Sequence, residues 1–158
     1  PSTSSAASDV YKRQSLVYIF FVFGNMFNME FKSRFKVYYE DTDSGGVVYY
    51  ANYLKFLERA RTDAITSLDF SNNKLIKKFG IFIIVKSCNL NFLRPAKLED
   101  NLDIISKVIE VKNVSIKMKQ NIFVNDSMIV EAEILLASVN NEGKPSKLPD
   151  EFKNELIK

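Results

Sequence analysis

From about Tyr50 onward the chain carries one long amphipathic stretch. Tyr53, Leu57, Ala60 and Ala64 fall on one helical stripe, Leu54, Ile65 and Leu68 lie beside it, and Lys55, Glu58, Arg59 and Asp63 take the other face. Beyond it the chain reads mostly as strand. A lone helix with one apolar side, succeeded by strands, has few ways to hide that side. A single sheet must curl around it, which makes the expected fold α+β, with one long central helix wrapped by an antiparallel sheet of about five strands.

Residues Arg34 to Tyr39 alternate, with Phe35, Val37 and Tyr39 on one side and Arg34, Lys36 and Tyr38 on the other, the period of a half-buried strand. The long helix fades near Asp69 to Asn73, and KLIKKFG reads as a short helix ended by Gly80. Ile81 to Leu93 is β-branched and then alternating, until Pro95 stops it. Further runs at Leu102–Val111, Ser115–Val124 and Met128–Val139, separated by Lys112-Asn113 and Asn125-Asp126, predict an antiparallel meander. The tail holds a loop around Gly143 and Pro145 and a terminal helix over Pro149 to Ile157.

The chain has 158 residues, 46% of them apolar and 26% charged, which is material for one domain with a packed core. Its net charge of +3 is spread without a basic run, so nucleic-acid binding has no support. The absence of histidine is the strongest exclusion. It removes Ser-His-Asp and Cys-His catalysis and every histidine zinc site. The single cysteine, Cys88, forms no intramolecular disulfide and reads as a small buried hydrophobe, so no metal and no cofactor is expected.

Residues 1–28 are read as lying outside the fold. PSTSSAASDVYKRQ shares no patterning with the rest, and its end resembles the translation of a sequencing-library adaptor. The apolar run Leu16 to Phe23 falls well short of the ~20 residues a membrane-spanning helix needs, and no small-residue cleavage site comes after it as in a secretory signal. The domain is therefore expected over residues 29–158, starting at Met29 or Met26.

The chemistry-bearing segment is VYYEDTDSGGVVYYANYL, from Val37 to Leu54. Asp41 and Asp43 flank Thr42, and Gly45 and Gly46 allow a tight turn just ahead of the helix. A carboxylate can thus face the free N–H groups and positive dipole end of a helix. Taken alone, both aspartates also suit ordinary turn and capping roles, and the glycines have no phosphate-loop spacing. Asn52 suits helix capping or loop holding, and Arg59 with Asp63 suits an i,i+4 ion pair.

The run YYEDTDSGGVVYYANYLKFLERAR, with SCNLNFLRPAKLEDNL downstream, resembles the signature of the hotdog-fold acyl-CoA thioesterases, the group that contains 4-hydroxybenzoyl-CoA thioesterase and the Tol-Pal-associated acyl-CoA thioesterase. The resemblance covers most of residues 33–140. It implies hydrolysis of acyl-CoA, with Asp43 as nucleophile or general base and the Tyr50 amide as oxyanion donor. It also implies substrate contacts from Gly46, Val47, Val48, Tyr49 and Asn52, with Lys112 and Lys117 as candidates for the coenzyme A phosphates. Tyr50 stands where the Tol-Pal-associated branch usually has histidine and the 4-hydroxybenzoyl-CoA branch has tyrosine, so no histidine side-chain role carries over, while the backbone donor does and the Tyr50 ring is a candidate for lining the acyl pocket. A homodimer or homotetramer in the cytoplasm is implied by the same resemblance, with acyl carrier protein as a candidate partner. The rival reading keeps the fold and drops the chemistry: a module that binds acyl-CoA or acyl carrier protein without cleaving the thioester. A weaker rival is an envelope-associated scaffold.

Overall fold

A computed structural model describes residues 29–158, and the reading of residues 1–28 falls outside the described residues. The strands are β1 (Glu30–Lys36), β2 (Phe82–Phe92), β3 (Asn101–Val111), β4 (Ser115–Val124) and β5 (Ser127–Val139), and they form one antiparallel sheet in the order β1-β3-β4-β5-β2. Helix α1 (Asn52–Ser67) lies against one face, joined by α2 (Asn72–Phe79) and the C-terminal α3 (Asp150–Leu156). This is the α+β arrangement that the patterning predicts.

Local chemistry sets the boundaries. Ser71 caps α2 through the Lys74 N–H at 3.0 Å, and Gly80 ends it at a φ of 65°, which a side chain would resist. Asn125 and Asp126 both hold positive φ between β4 and β5, the conformation of the tightest hairpin turns. On β4 the alternation is complete: Ile116, Met118, Gln120 and Ile122 are buried under the helix, while Lys117 and Lys119 point to the other face. There they meet Glu133 at 2.9 Å and Glu131 at 2.5 Å, cross-strand pairs in solvent.

Four expectations need correction. The chain leaves the sheet after Lys36 and turns through a 3₁₀ segment at Tyr39–Asp41, so Tyr39 is exposed rather than inward. The buried wedge of α1 is Tyr53, Phe56, Leu57, Ala60 and Ala64; Leu54 faces out, because the sheet lies on the Phe56 side. Among the described residues Arg59 makes no ion pair with Asp63; its guanidinium lies 5.6 Å from the Phe56 ring centroid. Cys88 is exposed, although it pairs with the buried Ile134 and so points to the helix side. The edge strand β2 is only partly covered: Ile83 and Leu90 pack against the core, while Cys88 between them stays open to solvent.

Candidate active site

The segment between β1 and α1 folds as a small hairpin. Thr42 bridges Val48, the Asp43 N–H donates to the Val47 carbonyl at 2.9 Å, and the Gly46 N–H returns to the Asp43 carbonyl at 3.0 Å. Gly46 sits at a φ of 73°, which glycine adopts without a Cβ clash. The Asp43 carboxylate closes an Asx turn by accepting the Gly45 N–H at 2.8 Å, and the residue is exposed.

Asp41 has the opposite environment. It is buried, accepts the Tyr38 N–H at 2.9 Å, and its carbonyl receives both the Tyr49 N–H at 2.9 Å and the Asn52 side-chain amide at 3.0 Å. Asp41 and Asn52 thus lock the hairpin onto the first turn of α1. Asn52, a candidate substrate contact, is buried with its side-chain N–H engaged in that lock. Ala51 begins the helix with no side-chain cap, and the Tyr50 and Ala51 N–H groups take part in none of the loop's backbone hydrogen bonds. Free amides at the positive end of a 16-residue helix suit a developing negative charge.

A second clasp comes from the Pro95 turn. The Val48 N–H donates to the Ala96 carbonyl at 2.8 Å, while the Ala96 N–H donates to the Tyr53 hydroxyl at 2.9 Å. Val47 bridges Lys97 alongside. Hairpin, turn and helix start thus form one hydrogen-bonded unit.

Aromatic rings cover the outside of this unit. The Tyr49 and Tyr50 rings lie 4.8 Å apart, tilted at 55°, and Tyr50 meets Phe92 edge to face at 6.4 Å and 82°. The Tyr49 phenol is held above its ordinary range, first by the adjoining Tyr50 phenol, then by desolvation and by the negative charge of Asp43. An open cleft of about 250 Å³ runs beside Tyr50, lined by Val48, Tyr53, Phe92, Leu93, Arg94 and Pro95. The sequence pattern brings Gly46, Val47, Val48, Tyr49 and Tyr50 to one place, and the structure gathers them there. Lys112 and Lys117 stand elsewhere, paired with Glu110 at 3.3 Å and Glu133 at 2.9 Å, so neither cation is free at the loop. Phe92, Leu93 and Arg94 escape a reading of the sequence, because only Pro95 marks the spot where the strand turns back onto the helix.

Residues 37–156 match the family model described as the thioesterase-like superfamily. The acyl-CoA thioesterase YbgC of Haemophilus influenzae is 38% identical over 129 residues, covering 81% of this chain and 95% of that protein. Its Helicobacter pylori counterpart is 37% identical over 134 residues, covering 78% and 97%. Among solved structures, a probable thioesterase from Bartonella henselae superposes with a TM-score of 0.74 at 35% identity, covering 77% of this chain and all of that one. A 4-hydroxybenzoyl-CoA thioesterase variant in complex with 4-hydroxybenzoyl-CoA reaches a TM-score of 0.76 at 18% identity, a likeness of hotdog fold.

Proposed function

The chain belongs to the thioesterase-like superfamily, and from that premise we propose that it hydrolyses acyl-CoA thioesters at the hairpin between β1 and α1. The observation that carries this reading is the union, in one rigid loop, of the exposed Asp43 carboxylate with the unengaged Tyr50 amide at the start of α1. A thioester needs little more. In one route the carboxylate attacks the carbonyl carbon, coenzyme A leaves as thiolate, and water cleaves the resulting anhydride. In the other, Asp43 takes a proton from water as that water attacks, and the departing thiolate receives it. Both routes place negative charge on the carbonyl oxygen, where the Tyr50 N–H donates.

The reading includes a second copy of the chain. β2 is a sheet edge of 11 residues with Ile84, Val85 and Phe92 exposed, and pairing edge to edge removes that liability. Among the described residues no helix is long and apolar enough to cross a membrane, and a cytoplasmic enzyme meeting acyl-CoA or acyl carrier protein fits the proposal. One observation favours the rival, a binding module without turnover: Asp43 already serves the loop by holding the Gly45 N–H.

Thiol release from a panel of acyl-CoAs, measured for the wild type and Asp43→Asn, separates the two. Asparagine keeps an oxygen for the Gly45 N–H, so the loop survives. The enzyme reading expects turnover to fall by about 10²-fold or more with fold and assembly intact. Equal thiol release from both chains removes Asp43 from the mechanism, and binding without release establishes the module.

A further inference from the structure

On the hydrolytic reading above, in which the Tyr50 N–H binds the thioester carbonyl, the acyl group leads from that amide into the adjoining cleft. At about 250 Å³ the cleft lies below the roughly 300–1,000 Å³ of sites for drug-sized ligands, so it suits one ring or a short chain. Its walls favour the ring. Phe92 stands edge to face with Tyr50 and 5.7 Å from Tyr53, leaving aromatic surface on both sides of the opening.

Arg94 lines the same cleft. Among the described residues its guanidinium makes no ion pair, hydrogen bond or ring contact, whereas Arg34 is bound to Asp103, Arg61 to Gln120, and Arg59 lies over Phe56. Its backbone is fixed: the Leu93 and Arg94 N–H groups both reach the Ile129 carbonyl, at 2.8 and 3.2 Å, and the Ala96 clasp comes two residues later. An exposed guanidinium on a fixed backbone, with no partner among the described residues and aromatic walls beside it, is complementary to a carboxylate, which it can grip with two hydrogen bonds. We propose that the cleft takes an aromatic acyl group carrying an acidic substituent on the side of the ring away from the thioester, and that Arg94 pairs with that acid.

The test compares benzoyl-CoA, 4-carboxybenzoyl-CoA and hexanoyl-CoA with the wild type, Arg94→Gln and Arg94→Lys, reading kcat/KM by thiol release and Kd by calorimetry. The wild type should favour 4-carboxybenzoyl-CoA over benzoyl-CoA by roughly 10- to 100-fold, the effect of one charged hydrogen-bonded pair, and both over hexanoyl-CoA. Arg94→Gln should lose the preference between the two aromatic substrates, and Arg94→Lys should keep part of it. Equal losses on both aromatic substrates would assign Arg94 to the coenzyme A phosphates and overturn the proposal. So would a preference for hexanoyl-CoA, or unchanged selectivity with an altered oligomeric size, which would give the cleft to a second copy. If no thioester is cleaved, the hydrolytic reading fails. Calorimetry then still decides the assignment of Arg94, which stands if the binding preference depends on it and falls if it does not.

Discussion

The Tyr53 hydroxyl accepts the Ala96 N–H at 2.9 Å with both residues buried, so one hydrogen bond ties the first turn of α1 to the turn at Pro95. Tyr53→Phe keeps the ring against Phe92 and leaves a buried amide unpaired. The variant should lose about 1–3 kcal/mol of stability, read from urea unfolding. Turnover should also fall, because the same turn receives the Val48 N–H and so positions the hairpin that carries Asp43.

The same phenol gives the protein an alkaline limit. Burial pushes the Tyr53 hydroxyl above its ordinary value of 10.0; the Ala96 N–H works against that rise and the charge of Asp100 adds to it. Below the unfolded value both states keep the proton, and the contribution is whole. As pH rises past 10.0 the unfolded chain ionises first, so stability declines until the folded phenol ionises as well. Tyr53→Phe lacks this titration. The difference in urea midpoint between wild type and variant should shrink above that pH, and a constant difference would place the alkaline limit elsewhere.

Two adjacent glycines should answer differently to alanine. At Gly46 an added Cβ meets nothing within 4 Å, but the φ of 73° disfavours it, so Gly46→Ala should cost about 1–2 kcal/mol in unfolding experiments. At Gly45 the Cβ would stand 3.1 Å from the Asp43 Oδ1. That carboxylate is exposed and able to yield, so Gly45→Ala should leave the unfolding midpoint nearly unchanged while lowering kcat. The reverse pattern would mean that the Asp43 position is irrelevant to turnover.

Strand positions are largely legible in the sequence because the period-two pattern reports which residues share a face. The run Ser115–Val124 matches β4 to the residue, and the Asn125-Asp126 turn announces its own positive φ. Face is not burial, however. Cys88 shares a face with Ile134 and is still exposed, since cover depends on how far α1 extends across the sheet, a tertiary fact with no local signature. Tyr39 departs from expectation for a related reason: the alternation continues past Lys36, but the Asp41 carboxylate captures the Tyr38 N–H and turns the chain away. At the site, the loop residues adjoin in sequence and are legible together. Phe92 arrives from the end of β2 and Arg94 from the turn after it, far along the chain, and Lys112 and Lys117 look unpaired in the sequence only because their glutamate partners are cross-strand or local pairings.

Gln120 is fully buried between α1 and the sheet, and its side chain joins three groups. It accepts Arg61 at 2.9 Å, and its amide donates to Ser106 Oγ at 2.7 Å and to the Leu57 carbonyl at 3.2 Å. Burial already weighs on Arg61, whose pKa it pushes down, so the loss of its acceptor should be felt. Gln120→Leu alone should destabilise by about 1–3 kcal/mol, whereas adding Arg61→Leu should recover much of that loss by removing the stranded donor. A double-mutant cycle in urea measures this coupling, and strict additivity would mean that the pair does not act as a unit.

The edge strand offers the last test, because β2 leaves Val85 exposed at the bulge between Val85 and Ser87. In a lone chain Val85→Glu sets a charge in solvent and should cost little. In an edge-to-edge dimer it buries that charge without a partner, at a cost of several kcal/mol. Light scattering should therefore show the variant at half the wild-type mass with its circular dichroism unchanged. If the catalytic cleft is completed by the second copy, thiol release should fall in step with the dimer fraction and recover at high protein concentration. A variant that stays fully dimeric would place the subunit contact away from β2, and Phe92 and Leu93 would then line a cleft that belongs to one chain alone.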